Sequence, residues 1–261
     1  MSLADRFDGF VLDLDGVVYV GDAPVPGSPE AIAELHRRGK RVVYLTNDAR
    51  RSAEGYAGKL RALGIPAEGA DVITCGAATA ALARADGLAD GRSAFVIGSP
   101  DLSAEVAAAG LRPVRGADAA RAAVVVVGGH DGFDFTELRT ATQAVLGGAA
   151  LYGTNRDATY PMPDGPWPGT GAILAAVEFA TGRTARVGGK PEAFIFRMAR
   201  RAMGAAARVA MVGDRLDADI AGGHAAGMET ILVLSGCTGP DEVPDAPVRP
   251  DHVLDRLAAV L

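Results

Sequence analysis

The chain has 261 residues, 49% of them hydrophobic and 22% charged, with a net charge of −6. That profile fits a globular protein of one large or two modest domains with a sizeable core, and it excludes the disordered and fibrous classes. The acidic balance argues against nucleic acid as a main partner, and no apolar run approaches the roughly 20 residues of a membrane span.

Short apolar runs alternate with helical patterns from end to end, the signature of a parallel α/β sheet. Strands are expected at 10–15, 41–47 and 72–74, with helices beginning near Ser28, Ser52 and Gly76. From 77 to 184 the chain holds more αβ alternation than a single crossover requires, with strands at 94–98, 124–128 and 151–154 and helices around 102–110 and 135–147. This stretch reads as a second domain inserted into a first, which is made of 1–76 and 185–261. Residues 160–171, "YPMPDGPWPGTG", are expected to form a loop, neither helix nor strand. Strands at 209–214 and 230–234 and helices near Glu192 and Asp217 complete the first domain. Cys75 and Cys237 form no CxxC pair, so neither a disulfide framework nor a zinc site is supported. With an acidic N-terminus that carries no apolar stretch, they lead to the expectation of a cytoplasmic protein.

The sharpest local signal is "FVLDLDGVV", in which Asp13 and Asp15 end an apolar strand. Residues two apart on a strand share a face, so both carboxylates would enter one space. At about 4 Å and an effective dielectric of about 20, two such charges repel by roughly 4 kcal/mol. A bound Mg²⁺ is the usual remedy for a carboxylate cluster, although Asp15–Gly16 also suits a plain turn. Further signals follow at strand ends: Thr46 and Asn47, whose hydroxyl and amide can bond phosphate oxygens; Lys190 in "GGKPE", one of only three lysines; Asp214 in "VAMVGD"; and Asp219 five residues on. Parallel sheets gather reactive groups at these carboxyl ends.

These segments resemble the motifs of the haloacid dehalogenase superfamily: "DLDGV" the first, "LTN" the second, "GGKP" the third and "GDRLDAD" the fourth, in the family order. The size and place of the insertion are similar to the branch with a C2-type cap, which includes NagD-like, p-nitrophenyl phosphate, pyridoxal phosphate and phosphoglycolate phosphatases. "TNRDATYP", "PGTGAILAAVEFATGR" and "ETILVLSG" resemble that branch too, so the likeness covers nearly the whole chain. It implies a Rossmann-like parallel-sheet core with an α/β cap, and an Mg²⁺-dependent phosphatase of small phosphorylated metabolites. Asp13 would be the nucleophile that becomes an aspartyl phosphate, and Asp15 the acid and base. Mg²⁺ would be held by Asp13, the main-chain carbonyl of Asp15, and Asp214, with Asp219 behind them. Lys190 would neutralise the transferring group, while Thr46, Asn47 and the main chain at Asp48 grip phosphate oxygens. Asn155 and Tyr160 lie where relatives lean a cap loop over the substrate, and Tyr160 stands where the pyridoxal phosphate branch carries a His. Relatives often form dimers through the cap. One departure is Asp48–Ala49 where the branch has Asn–Ser; a carboxylate there would repel a phosphate unless it pointed away or met a donor, with Arg51 as a candidate to compensate.

Rival readings are weaker. A phospho-accepting receiver module is about half this length and carries its phosphoacceptor on the third strand. A phosphonate-cleaving enzyme needs a cap lysine, and 77–184 contains none. Phosphosugar mutases place their cap between the first two motifs. A phosphotransferase of the same fold, passing the phosphoryl group to a small acceptor, stays open as an alternative.

Overall fold

The structure, a computed structural model, describes residues 2–162 and 165–261. It contains two compact units: Met1–Thr46, Ala53–Ile73 and Lys190–Leu261 form the first, and Asn47–Ser52 with Thr74–Gly189 the second. The chain thus leaves the first unit once for a six-residue excursion and once for the long insertion. The sequence reading placed that insertion at 77–184, without the excursion.

The chain opens the first unit with β1 (Gly9–Asp13), a short hairpin of β2 (Tyr19–Val20) and β3 (Ala23–Pro24), α1 (Ser28–Arg37), β4 (Arg41–Thr46), α2 (Ala53–Ala62) and β5 (Val72–Thr74). The second unit supplies α3 (Cys75–Ala85), β6 (Ser93–Ile97), α4 (Pro100–Ala108), β7 (Arg112–Pro113), β8 (Val124–Val127), α5 (Phe135–Leu146) and β9 (Ala150–Gly153). It continues with β10 (Thr159–Met162), β11 (Gly165–Pro168), α6 (Thr170–Thr181) and β12 (Arg186–Val187). The first unit resumes with α7 (Ala193–Ala202), β13 (Val209–Gly213), α8 (Ala221–Ala225), β14 (Glu229–Val233) and β15 (His252–Leu254).

In the first unit six strands take the order β15-β14-β13-β1-β4-β5. β1 lies parallel to both β13 and β4, with Leu12 opposite Val212 on one side and Tyr44 on the other. Every residue of β1 and of β13 is buried, as strands covered on both faces require, which is why each reads as an unbroken apolar run. α1 turns Ala31, Ile32 and Leu35 inward; Pro29 suits its first turn, where no N–H is needed, and Glu30 in the first turn and Arg37 in the last each lie at the favourable end of the helix dipole. The second unit has its own five-stranded parallel sheet, β12-β9-β8-β6-β7, with the all-valine β8 at its centre. The α/β class with parallel sheets is as the sequence indicates.

Two local expectations are corrected. The strand expected over 10–15 ends at Asp13, where the Asp13 carboxylate accepts the Leu14 N–H at 2.8 Å and the chain turns through Gly16 at φ +80°. The stretch expected as a loop contains the antiparallel hairpin β10–β11, with Tyr160 opposite Trp167. Its prolines fall in alternate pairs, 161 opposite 166 and 168 opposite 159, so the amides of Tyr160 and Trp167 stay available for the ladder. The Pro163–Asp164 link of that expected loop lies outside the described residues.

Candidate active site

Because β1 and β13 run parallel as neighbours, their carboxyl ends deliver Asp13 and Asp214 to the same edge of the first unit's sheet. After Asp214 the chain makes a π-helical turn, Leu216–Ile220, which returns Asp219 toward Gly213; a Cβ at 213 would lie 2.1 Å from the Asp219 Cβ. One carboxylate oxygen from each of Asp13, Asp214 and Asp219 lies within 4.8 Å of the others, and all three residues are buried.

Lys190 completes this centre. Its Nζ stands 2.7 Å from Asp13 Oδ1 and 2.7 Å from Asp219 Oδ1, and its side chain is 2% exposed. It also donates to the Leu45 carbonyl at 3.5 Å. Burial would release the proton of an isolated lysine, but the Asp13 and Asp219 carboxylates outweigh it and keep the ammonium charged. Asp219 is pushed up to about 6, first by burial and then by the charge of Asp13, against the pull of Lys190. Burial also raises Asp13 and Asp214, with the neighbouring aspartates adding to it.

Asp214 is held by main chain. Its Oδ2 accepts the Cys237 N–H at 2.7 Å, and its own carbonyl accepts the Thr238 N–H at 3.2 Å. Thr46, at the end of β4 next to the Leu45 that pairs with Asp13, is 2% exposed. Asp15 sits in the turn after β1, exposed, and its charge still raises Asp13. The first unit therefore gathers Asp13, Lys190, Asp214 and Asp219, with Thr46 at the end of β4 and Asp15 in the turn after β1.

Asn47, Asp48, Asn155 and Tyr160 belong to the second unit, where they form a linked set. Asn47 donates through Nδ2 to the Asp157 carboxylate at 3.2 Å, and its carbonyl accepts from Asn155 Nδ2 at 2.6 Å and from Cys75 Sγ at 2.8 Å. The Asp48 carboxylate is gripped by the Arg50 guanidinium at 2.9 Å and by the Arg50 N–H at 2.9 Å. Arg50 in turn stacks 4.7 Å from the centre of the Tyr160 ring, whose hydroxyl donates to Asp131 at 3.2 Å. The cation paired with Asp48 is thus Arg50, and Arg50 and Arg51 are both exposed. The sequence reading missed Arg50, Asp157 and the Cys237 amide, since a main-chain donor and a solvated-looking arginine leave no trace in a motif.

Comparison with known proteins identifies the family. Residues 10–112 match the family described as haloacid dehalogenase-like hydrolase, and residues 187–260 match one described as HAD-hydrolase-like. The chain is 37% identical to a glycerol-3-phosphate phosphatase of Gallus gallus, over 97% of this chain and 91% of that protein. It is 39% identical to a D-glycerol 3-phosphate phosphatase of Mycobacterium tuberculosis, over 95% of this chain and 69% of that protein. The crystal structure of a glycerol phosphate phosphatase from Mycobacterium tuberculosis in complex with magnesium superposes with a TM-score of 0.92 at 36% identity, covering 100% of this chain and 78% of that one. On this sequence, fold and side-chain evidence, the chain belongs to the haloacid dehalogenase-like hydrolases.

Proposed function

We propose that the protein is an Mg²⁺-dependent phosphatase that hydrolyses a small phosphomonoester through an aspartyl phosphate on Asp13. The carrying observation is the buried centre itself: three carboxylates face one ammonium, and the surplus of negative charge in a nearly dry place is what a divalent cation cancels. The donor set is all oxygen, which suits Mg²⁺ rather than a thiophilic metal. Asp13, Asp214 and the main-chain carbonyl of Asp15 would hold the ion, with Asp219 orienting Lys190. When bound, Mg²⁺ neutralises charge on the phosphoryl oxygens.

The chain's own residues then divide the work. An Asp13 carboxylate oxygen attacks phosphorus in line; the new P–O bond forms as the bond to the leaving alcohol oxygen breaks. Asp15 gives that oxygen a proton, and later takes one from the water that attacks the aspartyl phosphate, releasing inorganic phosphate and free Asp13. Lys190, ion-paired to Asp13, supplies fixed positive charge where the transferring group develops its own negative charge. Thr46, Asn47 and the main chain at Asp48 bind phosphate oxygens, and Asn155 and Tyr160 act on substrate choice. Named glycerol phosphate phosphatases among the relatives support a polyol phosphate of that size as substrate. Two free thiols are consistent with a reducing, cytoplasmic setting.

A phosphate-release screen over glycerol phosphate, sugar phosphates, nucleoside monophosphates and p-nitrophenyl phosphate tests the reading. The expected outcome is turnover that EDTA abolishes and Mg²⁺ restores, with Asp13→Asn lowering kcat by at least about a thousandfold. No turnover of any of them by folded wild-type protein overturns it.

A further inference from the structure

The segment after β14 reaches across to both sides of the acidic centre. Ser235 Oγ donates to the Gly16 carbonyl at 2.6 Å, a bond between residues 219 positions apart. Two residues on, the Cys237 N–H donates to Asp214 Oδ2, and between them Gly236 lies flat against that carboxylate: a Cβ at 236 would come within 2.0 Å of Asp214 Oδ2. The same oxygen is backed by Gly16, where a Cβ would lie 2.3 Å away. Gly16 has φ +80° and donates its N–H to the Tyr19 carbonyl at 2.8 Å, so the turn that follows Asp15 is pinned from both ends. Asp214 is therefore pressed between two glycine main chains, and Ser235 is the side chain that holds one of those main chains to the other.

We propose that Ser235 is a positioning residue for the cation site: by tying the Asp13–Gly16 turn to the Asp214 loop, it fixes how far apart the Asp13 and Asp214 carboxylates stand. This rests on the phosphatase reading above, and it goes further by assigning a role to a residue that touches neither the ion nor the substrate. The physical reason is geometric. Mg²⁺ demands near-ideal octahedral ligands at about 2.0–2.1 Å and tolerates displacement poorly, so a turn free to drift loses affinity even with every ligand present. Hydrogen bonds that orient metal ligands typically contribute about 10–100-fold in metal affinity.

The test is direct titration of the substrate-free protein with Mg²⁺ by calorimetry, and with Mn²⁺ by electron paramagnetic resonance. Ser235→Ala is expected to weaken both ions at least about tenfold. Ser235→Cys, of similar volume but a weak donor, should match it, and Ser235→Thr, which restores the hydroxyl, should return to within about threefold of wild type. At saturating Mg²⁺, kcat of the Ala variant should stay near wild type while the Mg²⁺ concentration for half-maximal rate rises. Asp214→Asn serves as the control that removes a carboxylate. If wild type binds the ions, Asp214→Asn loses them, and either Ser235→Ala or Ser235→Cys folds yet titrates like wild type, the positioning role is overturned and the phosphatase reading stands. If wild type binds no divalent ion, both fall.

Discussion

Lys190 shows how much rests on single side chains at this centre. Among the described residues it is the only lysine paired with these aspartates, and replacing it by methionine keeps most of its volume while removing its charge. Three buried carboxylates would then share no cation, and breaking a buried pair from one side typically costs about 3–5 kcal/mol. Lys190→Met should therefore lower the denaturant midpoint sharply in EDTA at pH 8, where the carboxylates are most ionised, and Mg²⁺ should recover part of the loss. A midpoint equal to wild type in EDTA would mean that the lysine is not balancing those charges. Asp13, Asp214 and Lys190 were legible in the sequence because they stand at the end of an apolar strand or in a short glycine-rich link, where a charged side chain has few structural reasons to be. Ser235 and the Cys237 amide were not, since serine and glycine after a strand serve any turn equally well. Asp48 was legible as an anomaly, and its solution was not, because Arg50 two positions on looks like any solvated arginine until its guanidinium is seen on the carboxylate.

Elements were readable in proportion to how strongly burial constrained them. β1, β8 and β13 are buried along their whole length, so their apolar runs left little choice. β7, β12 and the β2–β3 hairpin contribute two residues per strand, too few to show any periodicity. The β10–β11 hairpin was hidden by its prolines, which argue against a strand unless they fall in the pairs that need no N–H. α1 gives a second kind of constraint, electrostatic rather than apolar. Near its C-terminal end Glu34 accepts from Arg37 and from Arg38 Nε, the latter at 2.7 Å, and Arg38 reaches on to Ser2 Oγ at 2.8 Å. These bonds hold the Glu34 carboxyl down at about 2, from an ordinary value of 4.5. A depressed acid stabilises the fold above its unfolded pKa and loses that contribution as pH falls through its folded one. Glu34→Gln should thus be less stable than wild type in urea at pH 6, with the gap narrowing from pH 4.5 toward pH 2; solvent reaches these partly exposed pairs, so the effect is modest. A gap that is constant over that range would assign the loss to packing instead.

At the scale of the molecule, the ligands of the proposed ion come from opposite ends of the chain. Asp13 and Asp214 are separated in sequence by the whole second unit, yet they close one sheet edge of the first. Among the described residues no helix is long and apolar enough to cross a membrane, and each unit has a buried apolar core of its own. An ion bound at the acidic edge adds its binding free energy to whatever opening separates β1 from β13. At about 100 times its dissociation constant that addition is about 2.7 kcal/mol, close to a hundredfold in the population of the opened form. Hydrogen exchange reads this directly, because amides released only by that opening slow by the same factor. Protection at Val11, Leu12, Met211 and Val212, on neighbouring strands in matched register, should rise steeply with Mg²⁺ and reverse with EDTA. Exchange at those four amides that ignores Mg²⁺ would put the ion elsewhere, because no cation shared by residues 13 and 214 could leave the pairing of their strands untouched.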